Sequence, residues 1–274
     1  MNLSQHEKGL RFRALHEAPG IFVMPNPWDL GSARLLAGLG FKALATSSYA
    51  SAVVLGRRDG ALSRDEALGH ARSIVEATEL PVAADLEDGF VENPKGVAET
   101  IRLAAATGLV GGSIEDSTGD AAHPFYDFAQ SVERVAAAAE AARSLSFPFT
   151  LTARSENFIR GNPDLDDTIR RLQAYEAAGA DVLFAPGLPD LAAVKTVCAA
   201  VKKPVNFMNG LAGKSFPVAA LAEAGVRRIS VGAALHRAAF AGLLSAAREI
   251  AREGTFGFAD TLPTSAQVYQ IMGL

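Results

Sequence analysis

Eight short apolar runs, each followed by a polar break and then by an amphipathic stretch, recur along the chain and limit its fold more than any other feature. The runs are Ile21–Met24, Ala43–Thr46, Val82–Asp85, Gly111–Asp116, Phe149–Arg154, Asp181–Ala185, Val205–Met208 and Ile229–Val231. Helical patterns follow them over Ser32–Gly40, from Ser63 onward, from Asn93-Pro94 to about Thr107, over Phe128–Leu145, Leu165–Ala178, Asp190–Val201 and Pro217–Ala224, and from Ala233 to about Arg252. Ser63 with Glu66 has capping-box spacing, Asn93 before Pro94 is a helix start, and Gly179 and Gly225 close helices. Such alternation predicts a parallel sheet with crossover helices. Eight units in about 250 residues favour a closed (β/α)8 TIM barrel over an open doubly wound sheet. No glycine-rich phosphate fingerprint follows the first run, which weakens a dinucleotide-binding alternative. The expectation is one barrel domain over residues 1–274, with an amphipathic helix within residues 3–17 covering one end. Residues 47–62 read as one long loop, and a loop of that length is a functional suspect.

Composition narrows the function. Hydrophobic residues make up 49% of the chain, charged residues 20%, and the formal net charge is −4, with no clustered Lys/Arg stripe; a nucleic-acid partner is not expected. The single cysteine, Cys198, lies in a helical pattern and reads as a buried structural residue. The first residues lack an apolar core of signal-peptide length and no run reaches membrane-spanning length, so the expectation is a soluble, cytoplasmic protein without a membrane partner.

The acids stand where the runs end. Val82-Ala-Ala-Asp85 passes directly into Leu86-Glu87-Asp88-Gly89, and Asp85 and Glu87 have the spacing that puts two strand side chains on one face. Crowded carboxylates repel, and a hard divalent ion such as Mg2+ would relieve them; a solvated acidic turn reads the same way. Glu115 ends the fourth run and Arg154 the fifth. In a barrel these ends share one mouth, where three acids and one guanidinium suit a cation together with an anionic, oxygen-rich substrate. A structural ion-pair network at the rim is the alternative.

Several motifs, taken in order, resemble the isocitrate lyase and phosphoenolpyruvate mutase superfamily: Ser47-Ser-Tyr49, Leu55-Gly-Arg-Arg-Asp59, Asp85-Leu-Glu-Asp-Gly89, Ser113-Ile-Glu-Asp116, Thr152-Ala-Arg154 and Val226-Arg-Arg-Ile-Ser-Val-Gly232. The resemblance runs from about Pro25 to Ala247. It implies that Asp85 is the principal Mg2+ ligand, that Glu87 stands where an aspartate usually holds the ion through water and that Glu115 is the third acid of the shell, with Mn2+ as the alternative ion, and that Asp59 sits near substrate and metal. It further implies that Ser47 and the Ser48 backbone receive a substrate carboxylate and that Arg154 clamps the substrate. A homotetramer, or a homodimer, whose C-terminal helix is swapped between subunits is part of the same expectation. The shared chemistry makes or breaks a C–C or P–C bond beside a 2-oxocarboxylate through an enolate.

The chain departs from that pattern in the loop at residues 117–127, which has neither the lysine nor the cysteine of the lyases' Lys-Lys/Arg-Cys-Gly-His motif, and lacks the mutases' Lys-Asn-Ser set as well. Where the lyases usually carry a glutamate after strand six, this chain reads Phe184-Ala-Pro-Gly-Leu188. Both departures argue against the usual lyase substrates. His123 in the loop could move a proton near neutral pH or be a plain exposed histidine; Tyr49 and Tyr126 could donate to an oxyanion or simply pack. Asn209 is placed to touch substrate, although Asn-Gly also makes an ordinary turn. The leading expectation is a Mg2+-dependent lyase that cleaves a C–C bond of a small 2-oxo or 2-hydroxy di- or tricarboxylate, acting like 2-methylisocitrate lyase or oxaloacetate decarboxylase. P–C chemistry on a phosphonate (phosphoenolpyruvate mutase or phosphonopyruvate hydrolase) and a non-catalytic carboxylate-binding barrel are the alternatives.

Overall fold

The computed structural model describes residues 3–274, and its strands form the expected barrel. They are β1 Phe22–Met24, β2 Leu44–Ala45, β3 Val82–Asp85, β4 Gly111–Glu115, β5 Thr150–Arg154, β6 Val182–Phe184, β7 Val205–Met208 and β8 Arg228–Ser230. The order is β1-β8-β7-β6-β5-β4-β3-β2, with parallel pairing throughout. The remaining seam, between β1 and β2, is bridged where the Ala45 N–H donates to the Pro25 carbonyl at 3.1 Å and the Asn26 amide donates to the Thr46 carbonyl at 2.9 Å.

Around the strands lie α1 Gln5–Glu17, α2 Leu30–Gly38, α3 Ser48–Val54, α4 Arg64–Glu76, α5 Pro94–Ala106, α6 Phe128–Arg143, α7 Leu165–Ala178, α8 Leu191–Ala200, α9 Val218–Glu223, α10 Ala234–Glu253 and α11 Ser265–Met272. The caps read from sequence form: Ser63 and Glu66 make a capping box on α4, and the Asn93 side chain accepts the Gly96 N–H on α5. The main core fills the space between sheet and helices and includes Leu44, Ile74, Ile101, Leu151, Leu172 and Phe207.

Helix α1 plugs the N-terminal end of the barrel. Phe12 is fully buried in a second cluster with Met24, Ala43, Ala45, Ala83 and Val110. A Cβ on Gly111 would lie 2.8 Å from the Phe12 ring and 2.9 Å from the Thr150 carbonyl, so the first residue of β4 has no room for a side chain. Burying that phenylalanine is worth about 1.5–3 kcal/mol.

Two stretches differ from the sequence reading. Residues 47–62 are not one loop: Ser47 caps α3, its hydroxyl accepting the Ala50 N–H at 3.4 Å, and Tyr49 therefore stands on a helix. Beyond α10 the chain makes a 3-10 turn at Gly257–Thr261 and then α11, which packs on α2 where the Ile271 carbonyl leaves room only for the glycine at Gly38. Helix α10 buries only His236 and exposes Leu235, Phe240, Leu243, Leu244 and Ile250. No helix among the described residues is long and apolar enough to cross a membrane.

Candidate active site

Parallel register carries the charged strand ends to one rim: Asp85 lies beside Ser113, Glu115 beside Arg154, and Arg154 beside Phe184. Above them opens a cavity of ≈1150 Å3, lined by Ser47, Ser48, Tyr49, Asp59, Asp85, Glu87, Glu115 and Arg154 among others. Of the residues singled out by sequence, these share one space.

Arg154 is the hub. Its Nη1 meets Asp85 Oδ1 at 2.9 Å, its Nη2 meets Glu115 at 3.2 Å and Glu156 at 2.9 Å, and its Nε donates to Glu156 at 3.0 Å. Burial disfavours its charge, yet Glu156, Glu115 and Asp85 together push its pKa well above the ordinary arginine value. All three guanidinium nitrogens are engaged by acids of the protein, while the side chain still lines the cavity. Arg160 adds a second cation, 3.2 Å from Glu115 and 3.5 Å from Glu156. Glu115 and Glu156 are both almost wholly buried, and burial raises both pKa values, most strongly for Glu115, which also faces Glu156.

Asp85 and Glu87 form the acidic half. Asp85 Oδ2 accepts the Ser48 N–H at 3.2 Å, and Asp85 Oδ1 accepts the Glu87 N–H at 3.3 Å. Glu87 takes a left-handed backbone, φ +50°, and so does Phe90, φ +62°. Each such position costs about 1–3 kcal/mol and persists only where neighbours fix it. Here buried Arg134 donates to the carbonyls of Asp88, Val91 and Glu92, while the Tyr126 hydroxyl donates to Asp88 at 2.7 Å. Burial and the charges of Asp85, Asp59 and Asp88 raise the Glu87 pKa to about 8. Burial also raises Asp59, the Ser48 hydroxyl opposing the shift and Asp85 adding to it.

Among the described residues no group of three or more His, Cys, Asp and Glu side chains has the spacing of a finished metal cage. The expected triad is thus divided: Glu115 turns into Arg154 and Arg160, while Asp85 and Glu87 remain crowded together. Two carboxylates beside open cavity are nonetheless the donor set that Mg2+ takes, since it keeps several waters and adds substrate oxygens. The residues present fit the ion in that form.

Two expected residues lie elsewhere. His123 is at the exposed tip of the loop after β4, 3.3 Å from Asp120, where Thr118 and Phe125 fold the loop back on itself. It does not line the cavity. Asn209 is also absent from the lining and holds a turn instead, its side chain donating to the Phe216 carbonyl and accepting the Phe216 N–H, each at 2.9 Å. Conversely, sequence reasoning passed over Glu156, Arg160, Arg134 and Arg228. Glu156 had a signal, since Arg154 and Glu156 repeat the spacing of Asp85 and Glu87. Arg228 sits on the cavity floor at 3% exposure, bonded to Asn206, Thr152 and His16 with no carboxylate partner, and burial lowers its pKa to about 9.

A parallel barrel with a charged cluster at its C-terminal mouth has the architecture of a barrel enzyme. The chain matches the phosphoenolpyruvate phosphomutase family over residues 12–251. It is 30% identical to the oxaloacetate decarboxylase of Ectopseudomonas mendocina (strain ymp) over 253 residues, 90% of this chain and 85% of that one. A provisionally named lyase/mutase from Burkholderia cenocepacia J2315 superposes with a TM-score of 0.96 at 52% identity, covering 98% of this chain and 97% of that one. A 2,3-dimethylmalate lyase superposes with a TM-score of 0.85 at 26% identity, covering 97% and 95%. The chain belongs to the phosphoenolpyruvate phosphomutase family, within the isocitrate lyase/phosphoenolpyruvate mutase superfamily of lyases and mutases.

Proposed function

We propose that the protein is a Mg2+-dependent lyase that cleaves a C–C bond of a small 2-oxo or 2-hydroxy di- or tricarboxylate through an enolate. The observation that carries this is the crowding of Asp59, Asp85 and Glu87 at one side of a cavity whose lining also includes Arg228, which has no carboxylate partner among the described residues. One part of such a space attracts a divalent cation and another an anion. Asp85 and Glu87 would hold the ion. Bound there, it would supply positive charge opposite the oxygen on which the enolate builds up. Ser47 and Ser48 line the same cavity and would receive a substrate carboxylate, while Arg154 holds Asp85 and Glu115 in place. Tyr49 lines the cavity and takes the proton-carrying role; His123 is dropped from it because its ring stands in solvent. The exposed apolar side of α10 supports the helix-swapped homo-oligomer, because an apolar row of that kind marks a protein interface.

The test is a panel of 2-oxo and 2-hydroxy acids, assayed with Mg2+ and with EDTA, following pyruvate and glyoxylate. Metal-dependent release of either supports the reading. Phosphate release from phosphonopyruvate would instead support P–C chemistry, and tight oxalate binding without turnover of any candidate would support a non-catalytic barrel.

A further inference from the structure

Beneath the rim acids the barrel holds a second polar layer. Thr152 stands two residues before Arg154 on β5, so its side chain leaves the strand on the same face, about 7 Å deeper. Arg228 at the start of β8, Ser230 at its end and Asn206 on β7 join it, all buried and all lining the cavity. Met24, Ala45 and Ala83 line it too and pack on Phe12, so the cavity reaches down to the plug made by α1. An arginine head carries five N–H donors. Here Nε donates to Asn206 Oδ1 at 2.8 Å, Nη1 to His16 Nε2 at 3.2 Å and Nη2 to Thr152 Oγ1 at 3.0 Å, which leaves one N–H on each Nη without a partner among the described residues. His16 can only accept from Arg228, because its Nδ1–H is spent on the Phe12 carbonyl at 2.8 Å. The Thr152 oxygen accepts from Arg228 and the Ser230 oxygen from the Asn206 amide, and neither hydroxyl proton has an acceptor among the described residues.

We infer that this layer is a binding site for one small anion, seated against Arg228, Thr152 and Ser230 and supplied either as a free halide or as the far carboxylate of a bound substrate. The donors left over are two N–H and two O–H, while Asn206 Oδ1, His16 Nε2 and the two hydroxyl oxygens each already take a bond. A water molecule accepting here would bring two protons of its own with nothing to receive them; an anion brings none. Charge points the same way. No carboxylate of the described residues pairs with Arg228, and a buried guanidinium without a counter-charge is costly. The site stands independently of the lyase reading, and only the carboxylate source rests on it.

The first experiment melts the metal-free full chain at constant ionic strength while sodium chloride replaces sodium gluconate, whose anion is too large for the floor. The melting temperature should rise with chloride and saturate, and Ser230→Ala, which removes one donor and leaves Arg228 in place, should need at least about tenfold more chloride for the half-maximal shift. Bromide soaked into crystals should lie within hydrogen-bond reach of Arg228, Thr152 and Ser230. The second experiment titrates the Mg2+-loaded protein with malate and with oxalate, in chloride-free buffer and at saturating chloride. Where chloride shifts the melt, weakening of malate but not of oxalate by chloride adds the substrate carboxylate as an occupant, and malate binding unaltered by chloride assigns the site to the free halide alone. Where chloride leaves the melt unchanged, a loss of malate affinity of at least about tenfold in Ser230→Ala, with oxalate unaffected, supports the site as a carboxylate site. Bromide at the floor without any response in solution means an adventitious ion only and overturns the inference. Absence of both the chloride and the malate effects overturns it as well, whatever the enzyme assays say of the lyase reading.

Discussion

The two sides of the barrel mouth are built from the same kind of strand end and are opposite in chemistry. From β3 to β5 the ends are Asp85, Glu115 and Arg154, locked into an ion network with Glu156 and Arg160 and backed by strained backbone at Glu87 and Phe90. At β6 and β7 the ends are Phe184 and Met208, and the glycine turn at Gly187 relaxes between them. The barrel supplies only the rim. Charge is concentrated on the first side, and apolar side chains end the strands on the other.

The largest effect expected of any single change is on the charged side. Asp85→Ala removes a carboxylate from the proposed ion and leaves Arg154 with Glu115 and Glu156, so kcat/KM should fall by about 10²–10³ or more while far-UV circular dichroism stays native. Wild-type turnover in that variant would remove the metal assignment. Next, Tyr49→Phe should lower kcat by about 10²-fold, whereas His123→Ala should leave it unaltered, since one side chain lines the cavity and the other stands in solvent. Steady-state kinetics on both variants decides which of them carries the proton.

A smaller effect follows from Glu87. Its folded pKa, about 8, lies above its ordinary value of 4.5. Between those two pH values the unfolded chain has lost the proton and the folded chain keeps it, so metal-free stability should fall as pH rises through this window. Mg2+ needs the carboxylate, so its affinity should rise over the same range and level off above pH 8. Thermal melts from pH 5 to 9, with and without Mg2+, check both signs.

The barrel was readable in the chain because strand and helix periods differ and the short, largely apolar runs alternate regularly with amphipathic stretches. The rim acids were readable because an apolar run that ends abruptly in charge has few other meanings. What escaped reading depended on direction rather than type. Sequence placed His123 in the right loop, but the turn that leaves its ring exposed is set by the Ser117–Phe125 bridge and by Thr118, whose hydroxyl donates to the His123 carbonyl. Arg228 stood inside the Val226–Gly232 motif with no role assigned; only closure of the barrel brings it against His16, Asn206 and Thr152. Helix α3 hid inside a presumed loop because its seven residues, Ser48–Val54, are too short to express a period. Glu156 alone offered the spacing that had already identified its counterpart at Glu87.

The decisive observation is a crystal of the protein grown with Mg2+ and oxalate. The ion should appear about 2.1 Å from carboxylate oxygens of Asp85 and Glu87, with oxalate between it and Ser47, and with Arg154 still bonded to Glu115. Oxalate bound at Arg228 or elsewhere, with no ion beside Asp85 and Glu87, would mean that the acid cluster is only part of the scaffold.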